Sequence, residues 1–343
     1  MKVSLIMPTI NVIDELVLFL ESLARQTFKD FELVVVDQNE HDEVFKILKR
    51  YEKLFDIKYT KSEEKGLSLN RNKGLILRKG EIVGFPDDDC EYADDTLEKV
   101  VSFFERKKNY KIYSCRTLER GKDYGTGVME TKDMNITPDN VDVTVKSITF
   151  FVNYDGDEII LFDEQLGVGA TYGSGEETDY VLTLLHKGYK GRYFANDIIF
   201  HPAKKGNYDD LKRAYNYALG FGALVKKEVK YRKNKMYIFK YWKKLFRSFV
   251  GMLITKNKAY HRAVLKGRRE GYKKYKIWWR KELITKKCLG CGIELQCEDK
   301  DKEGFVPEEK LLMQENLLCQ RCYKIKNYGQ NLKNNFSKKD YEK

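Results

Sequence analysis

No apolar run in this chain approaches the roughly 20 residues needed to span a bilayer. The most apolar stretch of the basic region, residues 249–254, is far too short. The opening residues, Met1-Lys2-Val3-Ser4-Leu5-Ile6-Met7-Pro8, lack a signal peptide's long apolar region and cleavage site, and read as a strand. These absences predict a cytosolic protein. Cysteine is sparse, with seven residues, and in a reducing compartment they are expected to be reduced or metal-bound rather than paired as disulfides. Acidic residues are scarce in one region above all. Residues 201–290 hold 20 Lys and 7 Arg against 2 Asp and 3 Glu, a net +22, which leaves −10 for the rest of a chain whose total is +12. That asymmetry points the basic segment at an anionic surface, either membrane lipid or nucleic acid.

What is present in the first half is an alternation of short apolar runs and helical periodicities. Residues 3–7, 31–36, 57–59 and 82–85 read as strands. Residues 14–25, with Leu16, Phe19, Leu20 and Leu23, read as a helix, as do a segment marked by Val44, Ile47, Leu48, Tyr51 and Leu54, and residues 67–77. This βαβαβαβ order predicts an α/β fold, a mostly parallel sheet with helices on both faces. Ligands of such sheets gather at the carboxyl ends of the strands. Pro8-Thr9, Asp37-Gln38 and Asp87-Asp88-Asp89 all fall at such ends.

The aspartate triplet follows the apolar stretch Ile82-Val83-Gly84-Phe85-Pro86. Three adjacent carboxylates repel one another unless a cation receives them. Mg²⁺ or Mn²⁺ suits them, because each takes carboxylate oxygens and keeps positions for substrate phosphates. The alternative is a polar loop leading into the next helix, with Asp94 and Asp95 as capping residues. A second acidic group, Gly173-Ser174-Gly175-Glu176-Glu177-Thr178-Asp179, opens a predicted helix over residues 180–186. It reads either as a well-capped helix start, favoured by the dipole, or as the source of a general base.

Further along, aromatics and lysines interleave. The spacing of Ile238, Trp242, Leu245, Phe249 and Leu253 predicts an amphipathic helix with a basic face, and a second basic helix follows near residues 259–270. Such helices either pack on the catalytic domain with a solvated lysine face or lie on anionic lipid; nucleic-acid binding uses similar residues. Beyond them, Cys288-Leu289-Gly290-Cys291 and Cys319-Gln320-Arg321-Cys322 form two C-x2-C pairs separated by 27 residues, a pattern that predicts structural Zn²⁺ on four thiolates. Cys297, Cys90 and Cys115 are expected to be bystanders.

Several of these segments resemble family 2 glycosyltransferases of the GT-A, Rossmann-like fold: residues 3–9, Leu23-Ala24-Arg25-Gln26-Thr27-Phe28, residues 31–37, Asn70-Arg71-Asn72-Lys73-Gly74, Phe85-Pro86-Asp87-Asp88-Asp89-Cys90 and Gly175-Glu176-Glu177-Thr178-Asp179. The resemblance implies that Pro8, Thr9 and Asp37 hold the nucleoside, that Arg71 lies near the diphosphate or base, and that Asp87, Asp88 and Asp89 form the DxD region. Asp87 and Asp89 would be its metal ligands. It also implies a base among Glu177, Glu176 and Asp179; Glu177 takes the position usually filled by Asp. His201 stands where some members place a further metal ligand. Implied with these are a nucleotide-sugar donor (UDP-sugar favoured), a glycan or lipid-linked acceptor, Mn²⁺ or Mg²⁺, and inversion at the anomeric carbon. The four-cysteine segment resembles the N-terminal zinc finger of circularly permuted ribosome-assembly GTPases, although the chain has no G-x-x-x-x-G-K-[ST] loop.

The expected division is a catalytic domain over 1–205, a basic helical and membrane-peripheral segment over 206–287, a zinc module over 288–330 and a disordered tail over 331–343. Two rival readings stand beside this one. A sugar nucleotidyltransferase would need a Gly-rich, basic phosphate loop near the N-terminus, which is absent. A non-catalytic RNA- or ribosome-binding zinc protein leaves both acidic clusters unexplained.

Overall fold

The computed structural model describes residues 1–11, 14–157, 159–203 and 208–276, together with the backbone of Leu283–Lys287 and Glu294–Glu298. Its first half runs β1 (Val3–Thr9), α1 (Asp14–Ala24), β2 (Phe31–Asp37), α2 (Glu43–Leu48), β3 (Asp56–Lys61), α3 (Leu67–Leu77) and β4 (Ile82–Gly84). It continues with β5 (Glu91–Tyr92), α4 (Thr96–Arg106), β6 (Ile112–Leu118), β7 (Met134–Ile136), α5 (Val141–Thr144), β8 (Phe150–Asn153), α6 (Glu176–His186) and β9 (Gly191–Phe200). Three helices close this part of the chain: α7 (Leu211–Lys226), extended by a π-helical turn at Lys227–Tyr231, then α8 (Met236–Ile254) and α9 (Lys258–Lys274).

The nine strands form one sheet in the order β3-β2-β1-β4-β8-β6-β9-β5, with β7 on β9. The first four are parallel, with Thr9 beside Asp37 at the carboxyl end of the β1–β2 pair. The second half is mixed: β8 runs antiparallel to both β4 and β6, while β9 is parallel to β6. Side-chain alternation distributes the apolar residues of the central strands between two cores. Leu5, Met7, Leu33 and Val35 pack with α1 and α4 on one face. Ile6, Val34 and Val83 pack with Leu75, Tyr180 and Leu182 on the other. A strand covered on both faces has no polar side to show, and every residue of β1 and β2 is buried. Cys90 and Cys115 are free and sit in the first of these layers, as expected.

On the second face, α3 lies so close to β1 that a Cβ at Gly74 would meet Ile6 Cγ2 at 2.3 Å. The Ile6 and Val36 side chains fill the space over Gly74, so α3 seats Asn70, Arg71 and Asn72 within the protein.

Three local expectations change. The second helix stops at Leu48, because Arg50 and Tyr51 bond three residues back, to Ile47 and Leu48, and tighten the chain into turns. Asp95 precedes α4 without a side-chain cap bond and pairs with Lys99, while Asp94 pairs with Arg25. In α8 the predicted helix forms, but Ile238, Trp242, Phe249 and Leu253 of its apolar stripe are exposed, and Leu245 alone of the five packs on the core. The residues that α8 buries are Tyr237, Tyr241, Ser248 and Gly251, with Ser248 accepting a hydrogen bond from Arg268 of α9. Small and hydroxylated side chains let α9 come close, so the bulkier stripe is left outside.

Met1–Tyr275 forms one compact unit and Lys276–Lys343 a second. In the second, Leu283–Lys287 and Glu294–Glu298 pair antiparallel. Cys288, Cys291, Cys319 and Cys322, and the tail over 331–343, lie outside the described residues. None of the described helices is long and apolar enough to cross a membrane.

Candidate active site

The carboxyl edge of the parallel strands gathers most of the residues singled out above. Thr9 ends β1, and its hydroxyl donates to Asp88 Oδ2 at 2.6 Å. Pro8, one residue earlier, is buried within the strand. Asp37 ends β2 and is fully buried. Its carboxylate accepts from the backbone and side-chain amide of Asn39 and from the Tyr59 hydroxyl at 2.7 Å, and Lys61 stands 3.5 Å away. These partners were not visible in the sequence, where Tyr59 read only as a strand residue and Lys61 was not singled out.

The aspartates follow β4 across Phe85 and Pro86. Asp87 takes Arg71 Nη2 at 3.1 Å. Asp89 takes His201 Nε2 at 3.1 Å. The ligand atoms of Asp87, Asp89 and His201 all lie within 4.8 Å of one another. His201 follows the end of β9, and its Nδ1 lies 3.2 Å from the Thr126 hydroxyl, which holds the ring from behind. Burial pushes Asp88 up to about 6, and the neighbouring Asp87 and Asp89 charges add to this, against the hydrogen bond from Thr9.

Arg71 is the largest fully buried side chain described and belongs to α3. Its second nitrogen, Nη1, reaches Glu176 Oε1 at 3.3 Å, and its guanidinium lies 5.5 Å from the centre of the Phe162 ring. One cation therefore ties the aspartate loop to the first residue of α6. Glu176 is itself buried, and burial with the adjacent Glu177 charge pushes it up to about 8, against the pull of Arg71. Helix α6 begins where it does because Gly175 takes φ 87°, the left-handed conformation that residues with a Cβ avoid. Glu177 is next along, half-buried, with no hydrogen bond or ion pair among the described residues.

Asp179 faces elsewhere. It pairs with Lys227 Nζ at 2.8 Å and Arg232 Nη2 at 2.9 Å. Lys227 also holds Asp163 at 2.7 Å, which in turn accepts from the Tyr275 hydroxyl. Beside this cluster, Glu228 is fully buried against Arg232 and His186. The third acid of the 176–179 group is thus committed to a buried ionic clamp on the π-helical turn after α7. Nothing in the sequence around Asp179 announced partners supplied by the basic region.

The fold is that of the GT-A class. Residues 4–163 match the family model described as Glycosyl transferase family 2. Among curated relatives, the poly(ribitol-phosphate) beta-N-acetylglucosaminyltransferase TarP of Staphylococcus aureus is 35% identical over 134 residues, 38% of this chain and 41% of TarP. The GalNAc(5)-diNAcBac-PP-undecaprenol beta-1,3-glucosyltransferase of Campylobacter jejuni is 26% identical over 253 residues, 69% of this chain and 78% of that enzyme. The chain therefore spans less than half the length of TarP. In fold it is similar to the mannosyltransferase PcManGT from Pyrobaculum calidifontis, solved with GDP-Man and Mn²⁺, at a TM-score of 0.56 and 15% identity, over 78% of this chain and 87% of that one.

Proposed function

We propose that the protein is a metal-dependent, inverting glycosyltransferase that moves a sugar from a nucleotide-sugar donor, a UDP-sugar in the first instance, to a hydroxyl of a glycan or lipid-linked acceptor. The observation that carries this reading is the convergence of Asp87, Asp89 and His201 within 4.8 Å at the sheet edge. Two carboxylate oxygens and one imidazole nitrogen fit Mn²⁺, and less well the harder Mg²⁺, and a three-ligand set leaves positions for phosphate oxygens. Bound there, the ion would hold the diphosphate and offset the charge it gains as a leaving group.

The remaining chemistry belongs to the chain's own residues. Thr9 and Asp37, adjacent on β1 and β2, form the end of the site where the nucleoside is to lie, with Pro8 beneath it. Arg71 keeps Asp87 turned toward the metal position by pairing with it from the protein side. Glu177 is assigned the base, because Glu176 is held by Arg71 and Asp179 by Lys227 and Arg232. As the acceptor oxygen bonds to the anomeric carbon, its proton passes to Glu177 and the nucleoside diphosphate departs with the bonding electron pair. One attack from the face opposite the leaving group inverts the centre.

Two further assignments belong to this reading. The enzyme works at the inner face of a membrane that carries its acceptor, for which the excess of Lys and Arg over 201–290 is the support. Cys288, Cys291, Cys319 and Cys322 hold one structural Zn²⁺, for which their spacing is the support. The transferase assignment is tested by measuring nucleoside diphosphate release from a donor panel in the presence and absence of Mn²⁺. An RNA- or ribosome-binding protein without catalysis would release none.

A further inference from the structure

Helix α8 turns its bulkiest apolar residues to the outside. Phe239 is 67% exposed, Trp242 64%, Phe246 69%, Phe249 48%, Leu253 59% and Ile254 77%. The first five recur at spacings of three and four, so they share one face. Isolated exposed apolar residues are ordinary, but a continuous strip on one helix marks a surface that is covered in use.

A cavity of about 500 Å³ opens beside this strip, bounded by Tyr241 of α8 and by Arg262, Lys266, Arg269 and Lys273 of α9. The Tyr241 and Trp242 rings lie 6.2 Å apart, so the cavity adjoins the strip. Its four cations also recur at spacings of three and four. Arg262, Arg269 and Lys273 pair with no acid among the described residues, and the Glu270 on its wall is engaged by Lys274 and Tyr215.

We propose that α8 lies in the headgroup region of an anionic bilayer with these apolar residues inserted, and that the α8–α9 cavity takes the phosphate of an anionic lipid headgroup. Charge and shape together select this occupant. An apolar strip rimmed by cations suits acyl chains beneath anionic headgroups. A protein interface is depleted of lysine, whereas Lys266 and Lys273 stand beside this strip. Single-stranded nucleic acid stacks on aromatic faces, and gains nothing from Leu253 and Ile254. The charge seen in sequence is also redistributed. Lys240 is turned toward Asp142, and Lys244 lies half-buried over the Phe221 ring, so part of the basic character of α8 points inward and the headgroup contacts fall to α9. The proposal rests on the membrane-acceptor reading only for what the membrane supplies, and its test does not depend on catalysis.

The chain has three tryptophans, and Trp278→Phe with Trp279→Phe leaves Trp242 as the sole reporter in the full-length protein. The probes are vesicles of phosphatidylcholine alone and vesicles containing phosphatidylglycerol, each with brominated acyl chains. The expected result is a blue shift and quenching of Trp242 emission with the anionic vesicles, weakened by salt. Phe246→Glu with Phe249→Glu abolishes both signals. Arg262→Gln with Lys266→Gln and Arg269→Gln lowers affinity for anionic vesicles by about tenfold or more. Nucleoside diphosphate release is unchanged in both variants. No quenching in either vesicle overturns the proposal. So does a concentration-dependent dimer that Phe246→Glu disrupts, or salt-sensitive RNA binding without quenching. Vesicle binding with no donor turnover would instead sink the transferase reading and leave this one standing.

Discussion

Glu176 and Glu177 are adjacent and chemically alike, yet the fold gives them different surroundings. Arg71 and the protein interior claim Glu176, while Glu177 has neither hydrogen bond nor ion pair among the described residues. Glu177→Gln removes a proton acceptor with little change in volume, and kcat is expected to fall by about 10²–10⁴-fold. Donor affinity should stay the same. Transfer rates with titrated donor check this, and full activity in Glu177→Gln with loss in Asp179→Asn would move the base. Asp89→Asn acts on the other side of the reaction. It removes one of the three proposed metal ligands, so calorimetry should show Mn²⁺ no longer strengthening nucleoside diphosphate binding, with the fold intact. The aspartates stood out in sequence by their strand-end position and local charge, and His201 only by the family resemblance. The clamp on Asp179 was not, because both of its cations come from a segment that the sequence presents as a solvated basic face.

Elements are joined to the site by that clamp. Lys227 bridges Asp163 and Asp179, and Tyr275, just past α9, closes on Asp163. Burial alone would raise Asp163, but the Lys227 charge with the Lys227 and Tyr275 hydrogen bonds outweighs it and holds the carboxyl below its usual 3.8. A carboxyl lowered in the folded state stabilises the protein above the unfolded value, and this contribution disappears as pH falls through the folded one. Asp163→Asn should therefore cost about 3 kcal/mol near neutral pH, the low end for breaking a buried pair, since Lys227 keeps Asp179. Denaturant melts of both proteins should show a constant gap between about pH 5 and 8 that narrows below about pH 4. A gap that widens in acid contradicts the assignment. At this scale the sequence announced α8 as a helix but left open which face is buried. Hydrophobicity marks the strip of Trp242, Phe246 and Phe249, whereas close packing against α9 selects Ser248 and Gly251.

Charge is distributed unevenly along the whole molecule. A sheet edge rich in carboxylates sits within a chain whose remaining acids outnumber its bases, and the basic helices stand apart from it in sequence. The order of strands and helices over the first parallel half was readable from apolar runs alone. The antiparallel turn of β8 was not, since a short buried strand reads the same in either direction. Beyond Tyr275 the expected zinc module makes its own prediction. Elemental analysis of the full-length protein should find one zinc per chain in the wild type and in Cys297→Ser, and none in Cys288→Ser/Cys291→Ser, because the proposed four-thiolate site would lose two of its ligands. A wild type without zinc undoes the four-thiolate reading and leaves the sheet-edge site untouched.

The central claim is that the cluster of Asp87, Asp89 and His201 serves transfer from a nucleotide sugar. Its most direct test is the purified full-length protein incubated with a panel of UDP- and GDP-sugars, with Mn²⁺ or with chelator, and read for free nucleoside diphosphate. The account predicts release from at least one donor that requires the ion and is lost in Asp89→Asn. Release from no donor, or equal release in chelator and in Asp89→Asn, would contradict it.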